Sequence, residues 1–278
     1  MKLAHVSDLH ILSPEAEAPG PGPTSIDVAE ALADDLKAIA EGLDLVIIAG
    51  DLTDRADAPS FAIVERLFAR VGLPIFVVPG NHDGPSGMID YMRTSTTLSD
   101  WDLTNRVVEF GGFRFLGLNT CIEGRIQGAL DDSALALVDR EVGRNSDLPL
   151  VVIMHHPPLF LGLEQFDGFC DVDRGDEFLG LLAAAKAETL VFSGHVHRPY
   201  AARIDSLICH VAGSMITPYD SLRPFGTDPI RPTVLQDIYF VHEIDPGGQH
   251  VVTPQRVLGL VSHASEIKRP SQSEYDAN

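Results

Sequence analysis

Two stretches of this chain, LDLVIIAG (43–50) and LPIFVVPG (73–80), are apolar at nearly every position and show no alternation. A strand with one wet face alternates polar and apolar residues. A short run that is apolar throughout is buried on both faces, the pattern of a parallel sheet covered by helices. The neighbouring segments agree. DVAEALADDLKAIAE (27–41) places Val28, Leu32, Leu36 and Ile39 at helical spacing, and SFAIVERLFARV (60–71) repeats the period after Pro59. With KLAHVS (2–7) as a first strand, the first 80 residues read β-α-β-α-β, which implies a parallel sheet with helices on its faces.

The middle of the chain reads differently. RVVEF-GG-FRFLGLN (106–119) predicts a hairpin around Gly111 and Gly112. DDSALALVDREVGR (131–144) and GDEFLGLLAAAKA (175–187) predict helices, and LPLVVIMHHPP (148–158) and ETLVFSGHVH (188–197) predict buried strands. Further strands are expected at 200–204, 207–212 and 234–244. Two long loops, 13–25 and 217–232, are rich in Pro, and each reads equally well as a binding loop or a surface insertion. Residues 1–260 are expected to form the catalytic domain and 261–278 a polar tail, disordered or at a subunit contact.

Composition sets limits. No apolar run approaches the roughly 18 residues of a membrane span, and the start, MKLAHVSDLH, lacks the apolar centre of a secretory signal. The three cysteines, Cys121, Cys170 and Cys209, have no paired spacing, which fits a reducing compartment. A cytoplasmic protein without a membrane partner is expected. The 40 acidic and 20 basic residues give a formal charge of −20, a surface that repels long nucleic acid.

The chemistry sits at strand ends. In chain order these read SDLH (Asp8, His10), GDLTD (Asp51), GNHD (Asn81, His82, Asp83), MHHPP (His155, His156) and SGHVH (His195, His197). Ligands of open α/β sheets bind beyond the carboxyl ends of strands, so segments far apart in sequence would converge there. Gly50, Gly80 and Gly194 precede three of the sets and allow close approach. Carboxylate, imidazole and amide donors without a thiolate suit Fe, Mn or Zn and exclude Cu(I) or iron–sulfur clusters. Asp8, His10, Asp51, Asn81, His155, His195 and His197 make seven candidate ligands. One bridging carboxylate would give each of two metals four protein ligands, an arrangement suited to phosphoester hydrolysis.

The ordered set D-x-H, G-D, G-N-H-D, H-H-P-P and G-H-V-H resembles the calcineurin-like metallophosphoesterases, over Asp8 to His197. That resemblance implies an α/β fold, a four-layer αββα sandwich of two mixed sheets around a dinuclear centre. It implies that Asp8, His10 and His197 bind one metal, that Asn81, His155 and His195 bind the second, and that Asp51 bridges. His82 would contact the phosphate and protonate the leaving group, and Asp83 would orient His82. The MHHPP and GHVHR forms, the latter with Arg198, resemble the bacterial class III cyclic nucleotide phosphodiesterases and glycerophosphodiesterases. So does LNTCIEGRIQGALDDSALALVDREV, with departures at Asn119 and Ala136. The implied reaction is hydrolysis of a small phosphodiester by a metal-activated hydroxide, using two divalent or mixed-valence ions, in a homodimer or higher homo-oligomer. A phosphomonoesterase or nuclease on the same fold is the alternative, and a non-catalytic scaffold is disfavoured because no ligand is lost.

Other residues take plainer readings. Asp54 reads as the cap of the following turn, and His5 as a satisfied core or interface residue. His210, His242, His250 and His263 have no partner motif and read as surface or structural. His156 either supports a ligand or faces substrate, and Arg198 lies on the surface or holds an anion. Phe166, Phe169 and Tyr219 read as core packing.

Overall fold

The computed structural model describes residues 1–17, 22–144, 146–159, 172–185, 189–204, 206–218 and 237–257. The first half runs β1 (Lys2–Val6), α1 (Ser25–Ala38), β2 (Leu45–Ile48), α2 (Ala58–Phe68), β3 (Ile75–Val77), α3 (Pro85–Met92), α4 (Thr96–Trp101), β4 (Arg106–Phe110) and β5 (Phe113–Leu118). It continues through β6 (Gly128–Ala129), α5 (Asp132–Gly143), β7 (Leu150–Met154), β8 (Val172–Asp173), α6 (Gly175–Ala183), β9 (Thr189–Ser193), β10 (Tyr200–Ile204), β11 (Leu207–Val211), β12 (Ile238–Ile244) and β13 (His250–Arg256).

These strands form two large sheets. One has the order β13-β12-β1-β2-β3 and the other β10-β11-β9-β7-β5-β4. The inner strands of each are parallel, whereas β4 and β10 are antiparallel edges of the second sheet and β12 and β13 an antiparallel pair added to the first. The expected β-α-β-α-β start and the hairpin at Gly111 and Gly112 are both present.

Period-two alternation sorts side chains into layers. Leu3, Leu45, Ile47 and Phe76 of the first sheet meet Phe115, Ile153 and Phe192 of the second in a central apolar layer. The opposite face of the first sheet packs on α1 and α2 through Val46, Ile48, Leu32, Leu36 and Phe61. That of the second packs on α5 and α6 through Val152, Val191, Leu135 and Phe178. The result is the expected four-layer αββα sandwich. Each fully buried Phe or Leu in these layers stabilises it by about 1.5–3 kcal/mol relative to exposure.

Boundaries follow local chemistry. Helix α1 starts two residues before the expected helix because Thr24 accepts from the Asp27 N–H (3.1 Å) while Asp27 accepts from the Thr24 N–H (2.8 Å). Strand β13 has no counterpart in the expected elements because Pro254 interrupts its run. A proline without an N–H is tolerated there because β13 is an edge strand. The stretch 234–236 of the expected strand, most of the loop at 217–232, Phe166, Phe169, Tyr219 and the tail lie outside the described residues. Among the described residues, no helix is long and apolar enough to cross a membrane.

Candidate metal centre

The carboxyl ends of both sheets meet at one edge, and the sequence-predicted residues are found there. Backbone hydrogen bonds lace the crossing together. Asp8 N–H donates to Gly50 O (3.0 Å), His10 N–H to Asp51 O (3.0 Å) and Gly194 N–H to His155 O (2.9 Å). The His195 N–H donates to both carboxylate oxygens of Asp8 at 3.0 Å, which ties the end of β9 to the end of β1. A Cβ on Gly80 would overlap the carboxylate and backbone nitrogen of Asp51, and one on Gly194 would overlap Ser7 Oγ. Close approach of this kind is why both positions are glycine.

The backbone is strained where the candidate ligands sit. Asp8 (φ 55°), His10 (41°), Asp51 (52°), His195 (72°) and His197 (53°) are all left-handed. Asp and His tolerate that region better than most residues, yet each such residue costs on the order of 1–3 kcal/mol. Five strained positions at one edge mark a site held in place by the rest of the fold.

Two groups of donor atoms converge there. Asp8, His10, Asp51 and His197 each place a ligand atom within 4.8 Å of the others, and all four are buried. His10 Nε2 and His197 Nε2 stand 3.0 Å apart, and His10 Nε2 lies 3.5 Å from Asp51 Oδ2. In the second group, Asn81 Oδ1 is 3.1 Å from His155 Nε2 and 3.0 Å from His195 Nδ1, and His155 Nε2 is 3.3 Å from Asp51 Oδ2. Asp51 Oδ2, the atom common to both groups, is buried with no hydrogen-bond partner among the described residues.

Supporting contacts settle the tautomers. His197 Nδ1 faces Thr217 O (2.7 Å), His155 Nδ1 faces Ala49 O (2.8 Å) and His10 Nδ1 faces Asp54 Oδ1 (3.1 Å). A carbonyl or carboxylate requires an N–H there, so in each neutral ring Nε2 carries a lone pair. Lone pairs of His10 and His197 therefore point at each other, and that of His155 points at two oxygens. This repulsive packing is relieved by cations, so the donor set fits two divalent ions meeting at Asp51.

Where no cation is bound, protonated rings would supply the positive charge instead: against burial, the Asp51 carboxylate raises the His155 ring to about 9. Burial alone would raise the Asp8 carboxyl, but His197 and His155 bring it down to about 2. Burial likewise opposes ionisation of Asp51, and the imidazoles of His155 and His10 still hold it well below the usual carboxylate range.

Two expected contacts differ. Asp83 and His82 share no hydrogen bond among the described contacts. The buried Asp83 carboxylate instead accepts from the N–H groups of Leu52 (3.1 Å), Thr53 (2.9 Å) and Gly80 (2.9 Å), and from the Thr53 hydroxyl (3.2 Å). It pins the loop after β2 to the loop after β3. Burial and the adjacent Asp51 charge push its carboxyl up to about 7. Asp54, expected as a turn cap, holds the rings: its Oδ1 lies 3.1 Å from His10 Nδ1 and 3.4 Å from His82 Nδ1, and its carbonyl lies 3.0 Å from His82 Nδ1. Sequence reasoning missed this because the D-x-x-D spacing of GDLTD is also that of a turn.

His156 has both ring nitrogens occupied, Nδ1 by the Thr120 hydroxyl (2.7 Å) and Nε2 by Ile126 O (2.8 Å). Its ring lies 4.3 Å from that of His195, so of the two readings it supports a neighbouring ring and does not face the opening. Arg198 is partly buried, its guanidinium over the Tyr200 ring at 5.5 Å. Ser214 went unnoticed in the sequence; its hydroxyl donates to Asp8 O (2.7 Å).

A two-sheet sandwich with paired His/Asp half-sites at the shared carboxyl edge is the architecture of the metallophosphoesterases. The chain belongs to the calcineurin-like phosphoesterase family, which it matches over residues 1–199. It is 29% identical over 202 residues to the glycerophosphodiester phosphodiesterase GpdQ of Enterobacter lignolyticus, covering 71% of each chain. It is 24% identical to a cAMP/cGMP dual specificity phosphodiesterase of Mycobacterium tuberculosis, over 98% of this chain and 89% of that one. Among solved structures it resembles a dimetal phosphatase from Danio rerio, with TM-score 0.63, 12% identity and coverage of 92% and 96% of the two chains. It also resembles GAP50, the anchor in the inner membrane complex of Plasmodium, with TM-score 0.60, 11% identity and coverage of 98% of each chain. At such identities the likeness is one of fold, and function has to be argued from the site.

Proposed function

We propose that the chain hydrolyses small phosphodiesters, of the cyclic nucleotide or glycerophosphodiester type, with two divalent cations at the Asp51-centred site. The observation that carries this is Asp51 Oδ2, a buried oxygen that both donor groups share and that has no hydrogen-bond partner among the described residues. Asp8, His10 and His197 would hold one cation, Asn81, His155 and His195 the other, and Asp51 would bridge them. The nitrogen and oxygen donors suit Fe, Mn or Zn. When bound, the ions supply Lewis-acid charge for the phosphate oxygens and make water a competent nucleophile near neutral pH.

The chain's own residues orient the reaction. His82 is the exposed imidazole of the group, its side chain 40% accessible, and stands 4.6 Å from the His10 ring. Its Nδ1–H donates to the Asp54 carbonyl, which leaves Nε2 for substrate. Nε2 carries a proton only in the imidazolium form, and the Asp54 carboxylate lies 3.4 Å from Nδ1. Protonated His82 can hydrogen-bond the phosphate and give its proton to the leaving oxygen. The names of the relatives support a diester substrate. The formal charge of −20 argues against long nucleic acid.

The test is a substrate panel on metal-reconstituted protein: bis-p-nitrophenyl phosphate, p-nitrophenyl phosphate, cyclic nucleotides and glycerophosphodiesters. The expected result is Mn²⁺- or Co²⁺-dependent turnover of diesters faster than of the monoester. A preference for the monoester, or no diester turnover by metal-loaded protein, overturns the reading.

A further inference from the structure

Four histidines outside the Asp51-centred site face one another in the layer between the sheets. His5 lies on β1, His242 on β12 and His250 on β13, all in the first sheet, while His210 lies on β11 in the second. Register puts them inside. His242 pairs with Leu3, and His250 with Ile244, both residues of the central layer. His210 pairs with Phe192 of the same layer. His5 follows Leu3 by two positions and so shares its face. His5 is the core residue that the sequence reading expected, but neither of its ring nitrogens has a hydrogen-bond partner within bonding geometry among the described residues. Nor are His210 and His242 surface residues: they are 8% and 0% exposed.

The geometry is that of a ligand set. His210, His242 and His250 each bring one ring nitrogen within 4.8 Å of the other two. His242 Nδ1 and His250 Nε2 are 3.0 Å apart. Tetrahedral zinc with bonds of about 2.0–2.1 Å needs ligand nitrogens roughly 3.4 Å apart, so small ring rotations suffice. The other ring nitrogen of His242, Nε2, is buried with no hydrogen-bond partner among the described residues. The ring centroids of His210 lie 4.8 Å from those of His242 and 4.7 Å from those of His250, with near-perpendicular planes. Phe192 closes the inner side, 4.7 Å from the His242 ring. His250 is partly exposed and lines a surface pocket with Asp245 and Gln249.

We infer that His210, His242 and His250 bind a third cation, a divalent transition-metal ion of the zinc class, which clasps the two sheets together at this side of the sandwich. Imidazole-only donors without carboxylate or thiolate select zinc, cobalt, nickel or copper over magnesium and calcium. His210 and His242 are buried and Phe192 packs on the His242 ring, so the ion is structural. Burial keeps the ligand lone pairs free of protons, holding His210 down to about 4 and His250 below its ordinary value.

The test separates this ion from those at Asp51. The Asp51→Asn chain, dialysed against zinc and then against zinc-free buffer, is expected to retain about one equivalent by mass spectrometry. Added zinc at about 100 times its Kd should raise Tm by roughly 5–10 °C. His250→Gln placed in that background should abolish both effects. Because either variant could fail to fold, zinc-loaded crystals of the unaltered chain are also measured at the zinc absorption edge. An anomalous peak among His210, His242 and His250 is expected. Absence of that peak, or retention of the ion by the folded His250→Gln double variant, overturns the inference.

Discussion

The backbone N–H of His82 donates to Asp51 Oδ1 at 2.8 Å, which leaves Asp51 Oδ2 facing His10 and His155. One oxygen of the carboxylate is committed to the fold, and the other is open to the proposed ions. Asp51→Asn removes the shared charge while keeping the shape. It should empty both positions at this centre and lower activity by more than the roughly 10–100-fold that supporting residues cost. Metal analysis with steady-state kinetics checks this; a variant holding both ions with wild-type turnover would contradict the bridge.

Asp54 and Asp83 should separate cleanly. Asp54→Ala frees the rings of His10 and His82, so metal affinity at one position should fall about 10–100-fold and turnover should fall with it. Asp83→Asn turns one of the two acceptor oxygens into an NH2 group that faces backbone N–H donors, and should show chiefly as a lower melting temperature. Loss of kcat in Asp83→Asn at unchanged stability would restore to Asp83 the orienting role that the sequence resemblance implies.

Gly80→Ala should destabilise the chain because the atoms in its way include the Asp51 backbone nitrogen, which cannot rotate aside. Overpacking of this kind costs about 1–3 kcal/mol, or a Tm lowered by roughly 3–10 °C. Calorimetry of the variant measures it directly, and an unchanged melting curve would mean that the two loops are not in contact in solution.

Stability should fall in mild acid. Burial, followed by the charge of His210, brings His5 down to about 3, and burial followed by His250 brings His210 down to about 4, against 6.5 for a free imidazole. Between those values the unfolded chain binds protons that the folded chain refuses. Stability from these groups is thus complete above pH 6.5 and is lost as pH falls toward 4 and 3. Urea midpoints taken with chelator present should drop over that window, and His210→Gln should flatten the slope. Equal slopes for the two chains would place the sensitivity elsewhere.

Much of this was legible in the chain before any coordinates. Buried runs at 43–50 and 73–80 specify a parallel sheet, because only strands covered on both faces lack polar alternation. Asp8, Asp51, Asn81, His155 and His195 each follow a predicted strand, so their meeting at one edge is a consequence of parallel strands sharing a direction. Glycines 80 and 194 carried the signal that backbones would pass close to those side chains.

What the linear chain could not supply was the choice among partners. Asp54 and Asp83 are chemically alike and equally near the site in sequence, yet only Asp54 reaches the rings. His5 and His242 look like isolated residues until β12 is placed beside β1 and β11 across from them. Periodicity is a property of neighbours along the backbone and reports which face a side chain takes. Which residue stands opposite is decided by strand order, register and the approach of one sheet to the other, and those exist only after the central layer has closed.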